Sequence, residues 1–158
     1  MNMSEPLAYL LTWTTYGTWL PGDQRGWVDR QRQNGIGPIL PPEPAREAFA
    51  RDRMKEPPFI LDAKCRQVIS EVIYQTCDIR GWFLHALAVQ SNHVHVVISA
   101  ADIAPKQIIG ASKANGSRVL KEKYSEHNRK HWWTRGGSTR YLNSKESVNH
   151  AIAYVENQ

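Results

Sequence analysis

The sequence is poor in cysteine, in long apolar runs and in anything that resembles a leader. Its two cysteines, Cys65 and Cys77, both fall within what reads as one helix. Twelve residues along a helix span about 18 Å, whereas a disulfide needs Cα atoms within about 7 Å. A bridge is therefore excluded if the helix forms. With no second thiol near either one, a zinc or redox motif has no support, and both read as buried apolar fillers. No stretch approaches the roughly 20 apolar residues of a spanning helix, so no membrane partner is expected. The N-terminal MNMSEPLAYLL has an acid, a proline and no basic segment before its short apolar run. It does not read as a signal peptide, and the expected location is cytoplasmic.

Acidic residues are scarce in one place. Between Lys106 and Arg140 nine Lys and Arg stand against two acids, so this stretch holds +7 of a chain whose net charge is +5. A basic segment in an otherwise near-neutral protein suits a polyanion. It suits a solvated helix face equally well. The length, 158 residues, fits a single domain over 1–158 with one core.

Ala8 to Tyr16 is rich in aromatic and β-branched residues and reads as a first strand. A long irregular stretch follows, Gly17 to about Phe59, punctuated by PGDQRG, NGIGP and LPPEP. It leaves room for a short helix around Ala45 to Met54. A loop of this length in a small domain is usually functional or mobile. Leu61 to Arg80 repeats Cys65, Val68, Ile69, Val72, Ile73 and Thr76 at helical spacing, with Asp62 as N-cap and Gly81 as terminator. Trp82–Val89 and His93–Ser99 read as a hairpin around Gln90-Ser91-Asn92. Lys106 to Tyr124 reads as a basic helix and Thr139 to Asn143 as a short strand. Ser144 to the end reads as a last helix, with Asn143 and Glu146 in the spacing of a capping box. The order gives an α+β domain with a ferredoxin-like β-α-β-β-α-β core: an antiparallel sheet, helices on one face, and a C-terminal helix added.

Two local patterns carry chemistry. In Asn92-His93-Val94-His95-Val96-Val97-Ile98, strand alternation puts both histidines on one face and Val94 and Val96 in the core. Two imidazoles so placed reach one metal ion, although two solvent-facing histidines on a half-buried strand fit the same pattern. In the last helix His150, Tyr154 and Gln158 share a face, while Val148, Ile152 and Val155 face inward. Tyr154 is then either a nucleophile or a half-exposed surface tyrosine.

Taken together, the HxH strand, the basic helix and the terminal Tyr154-Val155-Glu156-Asn157-Gln158 resemble the HUH-type single-tyrosine transposases. That family includes the insertion-sequence and REP-associated members. The HWWTRGGSTRYL segment is also similar, and the likeness runs from Leu7 onward. The resemblance implies that His93 and His95 bind a divalent ion, Mg²⁺ or Mn²⁺, with Gln158 as third ligand through its amide oxygen. It implies that Tyr154 attacks single-stranded, hairpin-bearing DNA and forms a 5′-phosphotyrosine link that another 3′-OH later resolves. It also implies a possible homodimer with shared active sites, for which Arg135-Gly136-Gly137-Ser138 would be the hinge, or else a monomer using its own tyrosine. Candidate DNA contacts are Trp19, Arg25, Trp27 and Arg30 in the 17–59 loop, and Lys106, Lys113, Arg118, Lys121, Arg135 and Arg140 in the basic stretch. The loop is longer than the compact family form and is either a DNA-recognition element or a structural flap. A binding module without chemistry, and a metal hydrolase using water as nucleophile, remain as alternatives.

Overall fold

The computed structural model describes residues 5–29 and 38–158. Its elements are β1 (Ala8–Thr14), α1 (Pro44–Asp52), α2 (Ala63–Arg80), β2 (Phe83–Val89), β3 (His93–Ser99), α3 (Pro105–Lys123), β4 (Ser138–Leu142) and α4 (Lys145–Glu156). The strands form one antiparallel sheet in the order β2-β3-β1-β4. With α2 between β1 and β2, and α3 between β3 and β4, this is an α+β domain built on a β-α-β-β-α-β core. No helix among the described residues is long and apolar enough to cross a membrane.

Strand alternation divides the core in two. Leu11, Trp13, Val94, Val96 and Ile98 point to one face, where they pack with Val68, Ile69, Val72 and Ile73 of α2 and Ile108, Ile109 and Leu120 of α3. Ala8, Ala86, Val97 and Leu142 point to the other, against Val148, Ala151 and Val155 of α4. The expectation of helices on one face holds for α2 and α3. The added C-terminal helix, α4, lies across the other face. The apolar stripe of α4 has to be buried somewhere, and small Ala8, Ala86 and Ala88 let the helix approach the sheet.

Most element ends fall within two residues of those expected. Asp62 caps α2, accepting from the Cys65 amide at 2.8 Å, and Gly81 ends it in the left-handed region. Both cysteines are buried and free. Strand β1 stops at Thr14 rather than Tyr16. At Thr15 the amide turns to the Asn92 carbonyl (2.9 Å), and Gly17, at φ +75°, reverses the chain. The two glycines of α3 do not interrupt it. A Cβ on Gly116 would stand 3.0 Å from Ile69 Cδ1, so this glycine permits close approach of α3 to α2. The box at the start of α4 is made by Ser144 and Ser147, not Asn143 and Glu146. Each serine hydroxyl accepts from the other's amide at 3.1 Å.

The described part of the 17–59 segment is a flap with its own contacts. Trp27 is only 6% exposed. Its Nε1 donates to Pro41 O (2.9 Å) and the Arg46 guanidinium lies 4.9 Å from its ring centre. Hydrogen bonds from Phe59 N to Tyr16 O and from Leu61 N to Ser91 O stitch the flap's exit to the domain. The flap therefore leaves and rejoins the core beside the β2–β3 turn, next to the start of the histidine strand.

Candidate active site

Burial of Val94 and Val96 turns the alternate side chains of β3 to the α4 side. There the rings of His93 and His95 lie 4.6 Å apart. The face α4 shows to them carries Tyr154, whose ring centre is 5.5 Å from that of His95, edge on. Tyr154 is 51% exposed. Helix α4 is thus held by Val148, Ala151 and Val155 while its tyrosine stays open to solvent beside the imidazoles. Residues from the middle and from the end of the chain meet here within one chain.

The imidazoles are held through their Nδ1 atoms. His93 Nδ1 lies 2.7 Å from Asn92 Oδ1 and His95 Nδ1 lies 2.7 Å from Thr12 Oγ1. The carboxamide oxygen only accepts, so His93 Nδ1 carries the proton and its Nε2 keeps the lone pair. Partners of this kind orient histidines in metal sites. Thr12 is in place because β1 pairs with β3 in the register Thr12↔His95. His95 is 8% exposed, less than a surface strand position implies. Burial holds it well below the ordinary histidine range, to about 4, with the His93 charge adding to the effect. His93 is also lowered, by burial first and then by the Arg25 guanidinium. Both imidazoles are therefore neutral near pH 7, which is the form that ligates metal.

This donor set fits a divalent ion: neutral imidazoles side by side, each fixed from behind and each with Nε2 left over. Among the described residues no three His, Cys, Asp or Glu side chains gather at one point. Gln158 is exposed, and its Nε2 donates to Tyr154 O at 3.1 Å, closing the end of α4.

The proposed DNA contacts separate into groups. Trp27 is buried in the flap and has no face for a base. Trp19 donates from Nε1 to Gly26 O (2.7 Å) and is covered by Arg25, 4.0 Å from its ring centre. Arg30 lies outside the described residues. Lys113 is tied to the carbonyls of Thr134 and Gly136 and fastens the segment before β4. Gly137 packs there too, since a Cβ on it would stand 2.8 Å from Thr12 O. The expected hinge, 135–138, thus runs into the first residue of β4 and carries these contacts. Lys106, Arg118 and Lys121 are exposed on α3, on the far side of the sheet from the histidines. Arg135 is exposed. Arg140, opposite Leu10 on β4, is exposed on the histidine face.

Sequence reasoning missed Thr12 and Asn92. Asn92 had a signal, since it abuts the HxH and its amide can bond the next side chain. Thr12 had none, because only the β1–β3 register reveals it.

Comparison with known proteins follows the same lines. Residues 53–158 match the family described as Transposase IS200 like. No curated protein matches the chain. Among solved structures, a candidate transposase from Deinococcus radiodurans is similar with TM-score 0.55 and 15% identity, over 100% of this chain and 95% of that one. A REP-associated tyrosine transposase bound to a REP hairpin is similar with TM-score 0.56 and 10% identity, over 96% of this chain and 66% of that one. At these identities the structural likenesses speak for the fold.

Proposed function

The chain belongs to the IS200-like transposase family, and from that premise we propose that it nicks and rejoins single-stranded DNA with Tyr154 as nucleophile. The observation that carries this reading is the meeting of Tyr154 with His95, 5.5 Å between ring centres, beside the His93–His95 pair. His93 and His95 would hold Mg²⁺ or Mn²⁺ through Nε2, with Gln158 as third ligand once its carboxamide turns from the helix end. When bound, the ion supplies Lewis-acid polarisation of the scissile phosphate and helps position it.

Tyr154 Oη attacks the phosphorus and loses its proton. The bond from phosphorus to the 3′-oxygen breaks, and that oxygen leaves protonated as a free 3′-OH. The 5′-phosphate stays on the tyrosine. Attack by another 3′-OH reverses the exchange, so the bond energy is kept and no nucleotide cofactor is consumed. The solved relative with its REP hairpin favours hairpin-bearing single strands as substrate. Tyr154 already stands beside its own chain's histidines, which favours a site complete within one chain over a shared dimeric one.

The test is incubation with labelled single-stranded DNA from the flanks of the gene, with and without Mn²⁺. A covalent protein–DNA adduct on a denaturing gel, absent for Tyr154→Phe, is the expected result. Cleavage without an adduct would point to water as nucleophile, and binding without cleavage to a module without chemistry. Cleavage regained on mixing Tyr154→Phe with His93→Ala would overturn the single-chain site.

A further inference from the structure

The flap holds one more charge, anchored toward the start of the histidine strand, and it comes from outside the residues that match the family. Arg25 is gripped by Asp23: Nε donates to Oδ1 at 2.8 Å and Nη2 to Oδ2 at 2.7 Å, while the Arg25 amide also donates to Oδ1. Nη2 donates again to Thr18 O at 2.6 Å, and the guanidinium carbon lies 4.0 Å from the centre of the Trp19 ring. Asp23 is buried, 7% exposed, whereas the Arg25 side chain remains 43% exposed. Nη1 is left with no protein acceptor among the described residues.

The anchorage of this group leads directly to the site. Thr18 Oγ1 shares a 3.0 Å bond with Thr15 Oγ1, and the Thr15 amide donates to the Asn92 carbonyl. Asn92 is the residue whose side chain holds His93. Thr18 Oγ1 lies 3.5 Å from that same Asn92 carbonyl, so the residue that anchors Arg25 reaches the residue that holds His93. A fork-shaped cation, locked on one edge by a buried carboxylate and open on the other, suits a phosphate oxygen.

We propose that Arg25 binds a non-bridging oxygen of the scissile phosphate at the His93–His95 site, with Asp23 as the residue that positions it. The inference rests on the nicking reaction proposed above. As phosphate swings toward the trigonal-bipyramidal transition state its equatorial oxygens gain charge, and a donor fixed in place stabilises that state more than the ground state. Arg25 thus acts on the rate more than on the hold of the strand.

The experiment compares Arg25→Ala, Arg25→Lys and Asp23→Asn with the unmodified chain on hairpin-bearing single strands and Mn²⁺. Binding is measured separately in a Tyr154→Phe background. Arg25→Ala is expected to lower the rate of adduct formation at saturating DNA by about 100-fold, with Kd changing less than about fivefold. Lysine restores only part of the rate, because it lacks the fork. Asp23→Asn lowers the rate less than Arg25→Ala does. Guanidinium ion added to Arg25→Ala is expected to recover activity, which a loosened flap would not permit. An Arg25→Ala variant that keeps its Tm and nicks at the unmodified rate overturns the proposal. So does a loss that appears wholly in Kd, or a loss that guanidinium does not relieve. An unmodified chain that forms no adduct sinks the nicking reading itself, a distinct outcome.

Discussion

The two faces of the sheet are built from the same strands and do opposite work. Toward α2 and α3 the strands offer Leu11, Trp13, Val94, Val96 and Ile98, all at most 1% exposed. Toward α4 they offer Ala8, Thr12, Ala86, His93, His95 and Val97, a mixture of small and polar side chains. The first face is filled by volume. The second is lined by smaller side chains, on which α4 packs through Val148, Ala151 and Val155, and two imidazoles and a tyrosine meet beside that packing. The core packing and the proposed chemistry are thereby separated by the thickness of one strand, and the alternation of β3 is what separates them.

That separation is broken most sharply by a matched pair of substitutions. His95→Ala is expected to abolish metal-dependent adduct formation, as is His93→Ala, while the protein stays folded. Leu11→Ala, one position from Thr12 on the same strand, is expected to cost about 3 kcal/mol of stability through the cavity it leaves. At a temperature where it remains folded, its nicking rate should be close to normal. Thermal unfolding and single-turnover nicking measured on both variants decide it. If His95→Ala nicks at the normal rate in limiting metal, the ligand assignment is wrong. If Leu11→Ala nicks as poorly as His95→Ala while folded, the faces are not independent.

A finer test addresses the support behind the histidines. Thr12→Val keeps the shape of the side chain and removes the hydroxyl that meets His95 Nδ1 at 2.7 Å. Loss of such a partner typically weakens metal binding by about 10-fold to 100-fold. The expected result is a rise of that order in the Mn²⁺ concentration giving half-maximal nicking, with the rate at saturating metal much less affected. Thr12→Ser, which keeps the hydroxyl, should behave as the unmodified chain. Equal metal dependence in both variants would remove Thr12 from the site.

Much of this was legible in the residues, and the parts that were not share a cause. The histidine strand, α2 with its Asp62 cap and Gly81 stop, and the inward stripe of α4 follow from local spacing, which a sequence displays directly. The assignment of α4 to the second face does not. An amphipathic helix announces that it will be buried, not what will bury it. Thr12 is invisible for the same reason, since its role depends on strand register across 83 residues. Of the two readings open for the loop that carries Trp27, a DNA-recognition element or a structural flap, burial of its ring supports the second. Its Nε1 bonds to Pro41 O inside the flap, where Gly22 and Gly26 both adopt positive φ. Lys113 looked like one more phosphate contact, yet two carbonyls claim its ammonium.

The smallest expected effect concerns the charge on the far face. Lys106, Arg118 and Lys121 are exposed on α3, beyond the sheet from His93 and His95. Arg118 is in addition paired, loosely, with Glu122 at 3.5 Å. A strand being cut at the histidines does not lie against these residues. A double-stranded stem continuing around the domain can. Replacing Lys106, Arg118 and Lys121 together with Gln should therefore weaken binding of a hairpin-bearing strand severalfold, with each lost phosphate contact flattening the salt dependence by about one unit of slope. Binding of a plain single strand should change less, and the nicking rate at saturating DNA should not change. Titrations of both DNAs at several salt concentrations make the comparison. An equal loss for the two would mean that the basic helix screens the whole molecule and does not read the stem. A fall in the saturated rate would mean that the two faces of the sheet are coupled after all, because no direct contact joins those side chains to the phosphate being cut.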